Sequence, residues 1–116
     1  MREKRTHVDY ARDMLEYAEA AERIVDGTTF ASFSANEEKT LAVVRALEIV
    51  GEAARQIPEE LREQYPDVPW SEAIGMRNKV IHGYFGVDMR VIWDTVRDDL
   101  PPLRAVARML ADIESR

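Results

Sequence analysis

Between a few breakers this chain is written in strong helix formers, and that feature limits its fold more than any other. Ala, Leu, Glu, Arg and Met dominate, and the alternation of β-branched residues that marks a half-buried strand is missing. Gly27, Pro58, Pro66, Pro69 and the pair Pro101-Pro102 cut the sequence into helix-length pieces. A first helix is predicted from about Val8 to Asp26. Its positions Tyr10, Met14, Tyr17, Ala21 and Ile24 recur at steps of three and four, Ala11, Leu15, Ala18 and Val25 widen the stripe, and Gly27 ends it. Phe30 and Phe33 are placed as plugs at the bundle end.

A second helix is predicted from a cap at Ser34 or Asn36, with Glu37 and Glu38 in its first turn, to about Ile57 before Pro58. One face reads Val43, Leu47, Val50, Ala54 and Ile57. A second and flatter face reads Ala42, Ala46, Ile49 and Ala53, which suits a central helix or a dimer interface. The polar seam between them is Arg45, Glu48, Glu52 and Arg55, which also fits a solvated ionic stripe. A short helix from about Pro58 to Tyr65 follows, then a rigid Pro66-Asp67-Val68-Pro69 turn, then a helix capped by Ser71. Asp88 caps a further helix through Val91, Ile92, Trp93, Val96 and Leu100. Pro101-Pro102 is expected to break or kink it before a last helix to about Ile113. The expected fold is all-α: an up-and-down bundle of four main helices plus short ones, in a single domain over residues 1–116.

At 116 residues the chain has room for one core. It shows no export signal and no apolar run approaching a bilayer's thickness, so the expectation is a cytoplasmic protein without a membrane partner. Without cysteine it can form neither disulfides nor thiolate metal sites. A formal net charge of −6 argues against a broad nucleic-acid grip, so any such contact should be local and short.

The chemistry concentrates in Met76-Arg77-Asn78-Lys79-Val80-Ile81-His82-Gly83-Tyr84. An arginine can stabilise a crowded phosphate, an imidazole can move protons near neutral pH, and an amide can orient the imidazole. At about 100° per residue, Ser71, Gly75, Asn78 and His82 share one helix face, and Asn78 and His82 form an i, i+4 pair. Gly75 removes a side chain where a substrate or neighbouring chain could approach. Arg77 falls instead among Ala73, Ile74, Met76, Val80 and Ile81, about 140° from His82. A guanidinium in an apolar arc is costly unless paired, and Glu48 or Glu52 is the partner to look for. The divergence of Arg77 from His82 points to a site completed by two chains. His82 precedes Gly83, which suits a helix end, and the partial negative charge there favours the imidazolium of a general acid. No credible metal-ligand cluster is visible, and no cofactor is expected. Trp70 and Trp93 read as core anchors.

Beyond the motif, the chain resembles the HepT-like toxins of the HEPN superfamily. The likeness runs through Val44-Arg45-Ala46-Leu47-Glu48-Ile49-Val50-Gly51-Glu52-Ala53-Ala54, Ile57-Pro58, Tyr65-Pro66 and Pro69-Trp70. It continues through Met76-Arg77-Asn78, His82-Gly83-Tyr84, Val87-Asp88, Trp93 and Asp99-Leu100-Pro101, in order and spacing. The signature Arg-x4-His-x-Tyr is complete. The resemblance implies a homodimer whose facing motifs form a metal-independent endoribonuclease, the toxin of a toxin–antitoxin pair that cleaves RNA by 2′-hydroxyl attack. Arg77, His82 and Asn78 would be its catalytic residues, with Glu48, Glu52 and Lys79 in support. Tyr84 would accept AMP from a cognate MntA-like nucleotidyltransferase antitoxin, placing negative charge two residues from His82. Two other classes fit the same residues: a non-catalytic HEPN dimer that docks a nucleotidyltransferase, or a nucleotide-binding module whose Arg77 and Lys79 hold phosphates. Only the enzyme needs an imidazole at position 82.

Overall fold

A reciprocal cap opens the first helix: Thr6 N–H donates to Asp9 Oδ2 at 2.9 Å while the Thr6 hydroxyl oxygen accepts from Asp9 N–H. The structure, a computed structural model, describes residues 4–82 and 88–112, with the backbone alone over 77–82. Helix α1 spans His7–Val25 and buries Val8, Ala11, Met14, Ala18, Ala21 and Val25, close to the predicted stripe. Gly27 follows at φ +76°, the left-handed conformation that favours glycine and stops the helix. A second reciprocal cap, between Thr29 and Ser32, starts the short helix α2 (Phe30–Ser34). Its Phe33 is fully buried, and both of its phenylalanines meet Trp93, at ring-centroid distances of 6.0 Å for Phe30 and 5.6 Å for Phe33. The expected plug is therefore a helical turn with its aromatic partner on a later element.

Of the two proposed caps for the next helix, Asn36 serves, its side chain accepting from Lys39 N–H; helix α3 spans Glu37–Gln56. Val43, Leu47, Val50, Ala54 and Ile57 form its core face, none more than 2% exposed. The flatter face is covered only in part, since Ala46 and Ala53 are buried while Ile49 is half-buried and Ala42 is exposed. Helix α3 is central, packing against α1 on one side and against a later helix, α5, on another. Between them, helix α4 (Glu59–Glu63) leads into the proline turn. Arg62 Nε donates to the Ile57 carbonyl at 3.1 Å, and Trp70 Nε1 donates to the Tyr65 carbonyl at 3.1 Å. These two bonds fasten the turn to both flanking helices.

Helix α5 spans Trp70–His82. It begins one residue before the predicted cap, so Ser71 is an exposed residue inside the helix. The Pro69 carbonyl already accepts from Ala73 N–H, drawing Trp70 into the first turn. Asp88 caps helix α6 (Met89–Asp94), its carboxylate accepting from Arg90 N–H. Instead of the expected break at Pro101-Pro102, the chain stays helical. A π turn over Thr95–Asp99 joins α6 directly to helix α7 (Leu100–Asp112). The two prolines carry no N–H, and their rings crowd the carbonyls four residues back; one wider turn just before them relieves that crowding. Leu100 N–H reaches the Thr95 carbonyl across it, and the Thr95 hydroxyl donates to Val91 O at 2.7 Å.

Helix α7 packs along α1, burying Leu100, Leu103, Val106, Ala107, Leu110 and Ala111. Two ion pairs flank that seam, Arg104–Glu22 at 2.9 Å and Arg108–Glu19 at 3.4 Å. Partly exposed pairs of this kind contribute about 0–1 kcal/mol each, so they favour a register more than they stabilise the fold. One continuous core joins α1, α3, α5 and α7, an all-α bundle of four main helices with short ones at its ends. No helix among the described residues is long and apolar enough to cross a membrane.

Candidate functional site

The candidate site is the C-terminal half of α5. Its helix is amphipathic around Ala73 and Met76, which are 4% and 2% exposed in the core, and it ends on His82 as predicted. Helical backbone through His82 holds positions 71, 75, 78 and 82 in one register. Position 77 follows Ala73 by one turn, on the side where Ala73 and Met76 are buried. The structure thus keeps the sequence-derived divergence between positions 77 and 82 and does not remove it by ending the helix early. The side chains of Arg77, Asn78, Lys79 and His82 lie outside the described residues, as does Tyr84, the expected AMP acceptor.

Glu48 and Glu52, the expected partners of Arg77, are half-buried on α3. Glu48 pairs with Arg45 at 3.2 Å, and Glu52 accepts from Gln56 Nε2 at 3.4 Å. Both carboxylates line a cleft of about 320 Å³ between α1 and α3, together with Tyr10, Asp13 and Arg5. Arg5 lies 4.7 Å from the centre of the Tyr10 ring and 2.7 Å from Asp13. The seam on α3 is therefore one wall of a polar cleft and not a bare solvated stripe. The other wall was hidden in the sequence: Tyr10 counted as part of an apolar stripe, and Arg5 precedes the first helix. The only hint was the i, i+3 spacing of Tyr10 and Asp13.

Gly75 is half-buried, and a Cβ built on it meets no atom within 4 Å. The chain's own packing therefore does not require the missing side chain. Trp70 and Trp93 are each 8% exposed, which makes them the core anchors expected of them. Arg97 lies over the Trp93 ring at 5.2 Å, and Arg90 over Phe30 at 5.0 Å, so the aromatic cluster that receives α6 is edged by cations. The motif helix thus stands between two fixed ends, the Trp70 turn before it and the Trp93 cluster after residue 88. Among the described residues, no group of three or more His, Asp or Glu side chains is arranged to hold a metal ion.

Bundle and signature together define a HEPN-type helical protein, with the motif carried on a core helix and ending where that helix ends. The family model described as "Ribonuclease HepT-like" matches residues 14–110, and the chain belongs to that family. It is 45% identical over 101 residues to "Probable ribonuclease HepT" of Thermococcus cleftensis, an alignment covering 87% of this chain and 92% of that one. It is 37% identical to "Putative RNase MJ1216" of Methanocaldococcus jannaschii, over 97% of this chain and 94% of the relative. A third relative, "Putative RNase TTE0752" of Caldanaerobacter subterraneus, is 44% identical over 81% of this chain and 84% of its own. No solved structure matches the chain.

Proposed function

We propose that this chain is a metal-independent endoribonuclease acting in the cytoplasm as the toxin of a toxin–antitoxin pair. The observation that carries the reading is family membership across residues 14–110 combined with a complete Arg-x4-His-x-Tyr signature on the end of α5. In the reaction, an RNA 2′-hydroxyl loses its proton and attacks the adjacent phosphorus. The bond from phosphorus to the 5′-oxygen breaks, and that oxygen takes up a proton, leaving a 2′,3′-cyclic phosphate and a free 5′-hydroxyl. His82 moves the protons, Arg77 stabilises the charge gathering on the phosphorane, and Asn78 orients the imidazole or holds a phosphate oxygen. Lys79, Glu48 and Glu52 support the site electrostatically.

Two steps of proton transfer and one imidazole per chain favour a homodimer, in which facing motifs supply a base and an acid. The helical register of α5 supports this, because positions 77 and 82 diverge by about 140° on one chain. Tyr84 is the regulatory point, where AMP added by an MntA-like nucleotidyltransferase would place a charged nucleotide beside His82 and repel RNA. The acidic charge of −6 favours a second reading, a non-catalytic dimer that docks such a nucleotidyltransferase or holds a nucleotide through Arg77 and Lys79.

The deciding test is cleavage of a mixed RNA pool in chelator, comparing wild type of verified intact mass with His82→Ala and sequencing the ends. Cyclic-phosphate ends that vanish in the variant are expected. Equal inertness of both proteins toward host RNA favours the docking dimer.

A further inference from the structure

We infer that the face of α5 around Gly75 is a subsite for the ribonucleoside neighbouring the scissile phosphate, and that Gly75 is a positioning residue that lets the strand lie against the helix. This rests on the ribonuclease reading above. Glycine inside a helix is less favourable than alanine, so its presence calls for a reason. Backbone conformation does not supply one, because Gly27 is the positive-φ glycine among the described residues. Packing within the chain does not supply one either, since an added Cβ meets nothing within 4 Å. A neighbour from outside the chain remains.

Gly75 edges an open groove of about 730 Å³, within the usual range of roughly 300–1,000 Å³ for small-molecule sites. Val68, Trp70 and Ile74 line it, and Ser71 offers a hydroxyl at the same edge. The groove is rigid where it matters, because Trp70 Nε1 is bonded to the Tyr65 carbonyl and holds the proline turn in place. Its charged lining residues are one cation and one anion, Arg62 and Glu72, so it is not built to hold phosphate. Apolar walls with a hydroxyl and a bare backbone suit a base and its ribose. Along the helix axis Gly75 is about 4.5 Å from Asn78 and about 10.5 Å from His82, a span that one or two nucleotides bridge.

A second copy of the chain is the competing occupant. Filling this groove would need an exposed apolar ridge, since the centre of such an interface is its apolar part. The exposed large apolar residues among those described are Leu41, Val91 and Met109, which sit apart on α3, α6 and α7. They form no ridge, so the groove is better matched to a nucleoside.

The test uses the full chain and a 2′-O-methyl RNA oligonucleotide, which binds without being cut, read by fluorescence anisotropy. Cleavage kinetics of an unmodified RNA and the mass in solution are measured on the same samples. Gly75→Leu is expected to keep its oligomeric state and to weaken oligonucleotide binding at least tenfold, with the loss in KM far larger than in kcat. Gly75→Ala, whose methyl group meets nothing within the chain, keeps the test readable if the larger side chain disturbs folding; it is expected to melt no lower than wild type and to bind more weakly. Unchanged binding in both variants overturns the subsite, and so does loss of self-association in Gly75→Leu, which would make the face an interface between copies. A wild type that binds the oligonucleotide but cuts no RNA overturns the ribonuclease reading and leaves the subsite standing. A wild type that neither binds nor cuts overturns both.

Discussion

Replacing Phe33 by alanine tests whether the short helix α2 seals the bundle or merely rests on it. The ring is fully buried and lies 5.6 Å from Trp93, on a helix of only five residues whose other anchors are its cap bonds. Phenylalanine-to-alanine changes in a core cost roughly 3–5 kcal/mol, the spread depending on how far the site can collapse. So short a helix can settle partly into the space left behind, which places the expected cost near about 3 kcal/mol. For a domain whose total stability is about 5–15 kcal/mol, that is a large fraction. In urea the midpoint should fall by about 1.5 M, taking an m-value near about 2 kcal/mol/M. Both proteins must be compared at one concentration, because self-association would make the midpoint concentration-dependent. Phe30→Ala, at a half-buried ring, should cost less. A loss under about 1 kcal/mol for Phe33→Ala, or a larger loss for Phe30→Ala, would refute the sealing role and with it the account of how Trp93 and α6 are held.

Acid titration should show two opposing carboxylates. Burial is the main cause that holds Glu22 above the ordinary carboxyl range, with nearby Glu19 adding to it and Arg104 opposing it. The folded chain therefore binds that proton more tightly than the unfolded chain. The contribution is fully present below the ordinary value and lost as pH rises through the raised one, so Glu22→Gln should flatten the rise in stability across that acidic window when urea midpoints are measured against pH. Asp9 is shifted the other way, chiefly by the Thr6 N–H it accepts, so its contribution is present above the ordinary value and lost as pH falls. In cells, Tyr84→Phe should remain toxic when the nucleotidyltransferase is co-expressed, with no mass gain of one AMP on the purified chain. Full neutralisation of that variant would show that inhibition bypasses the hydroxyl.

The helices were legible because their signals are local. The stripe of α1, the Asn36 and Asp88 caps and the glycine stop at Gly27 each depend on neighbours within a turn or two, and the structure keeps them all. The motif was legible for the same reason, since its residues are consecutive on one helix. Where local rules competed, sequence reading went astray. Ser71 is a good cap, yet the Pro69 carbonyl started α5 earlier; two prolines signal a break, yet core contacts along α7 kept the chain helical through a π turn.

From the sequence alone follow the all-α class, the order of its helices and the family, because periodicity, capping and motif spacing are properties of the covalent chain. Tertiary structure alone decided which faces met. It set Ala46 and Ala53 in the core while leaving Ala42 in water, brought Arg5 and Tyr10 to the carboxylate seam of α3, and seated Phe30 and Phe33 against Trp93. It also left the space beside Gly75 open. The physical reason is that burial is non-local: a residue's pattern fixes which side of a helix is apolar, but only the packing of distant helices determines how much of that side is removed from water.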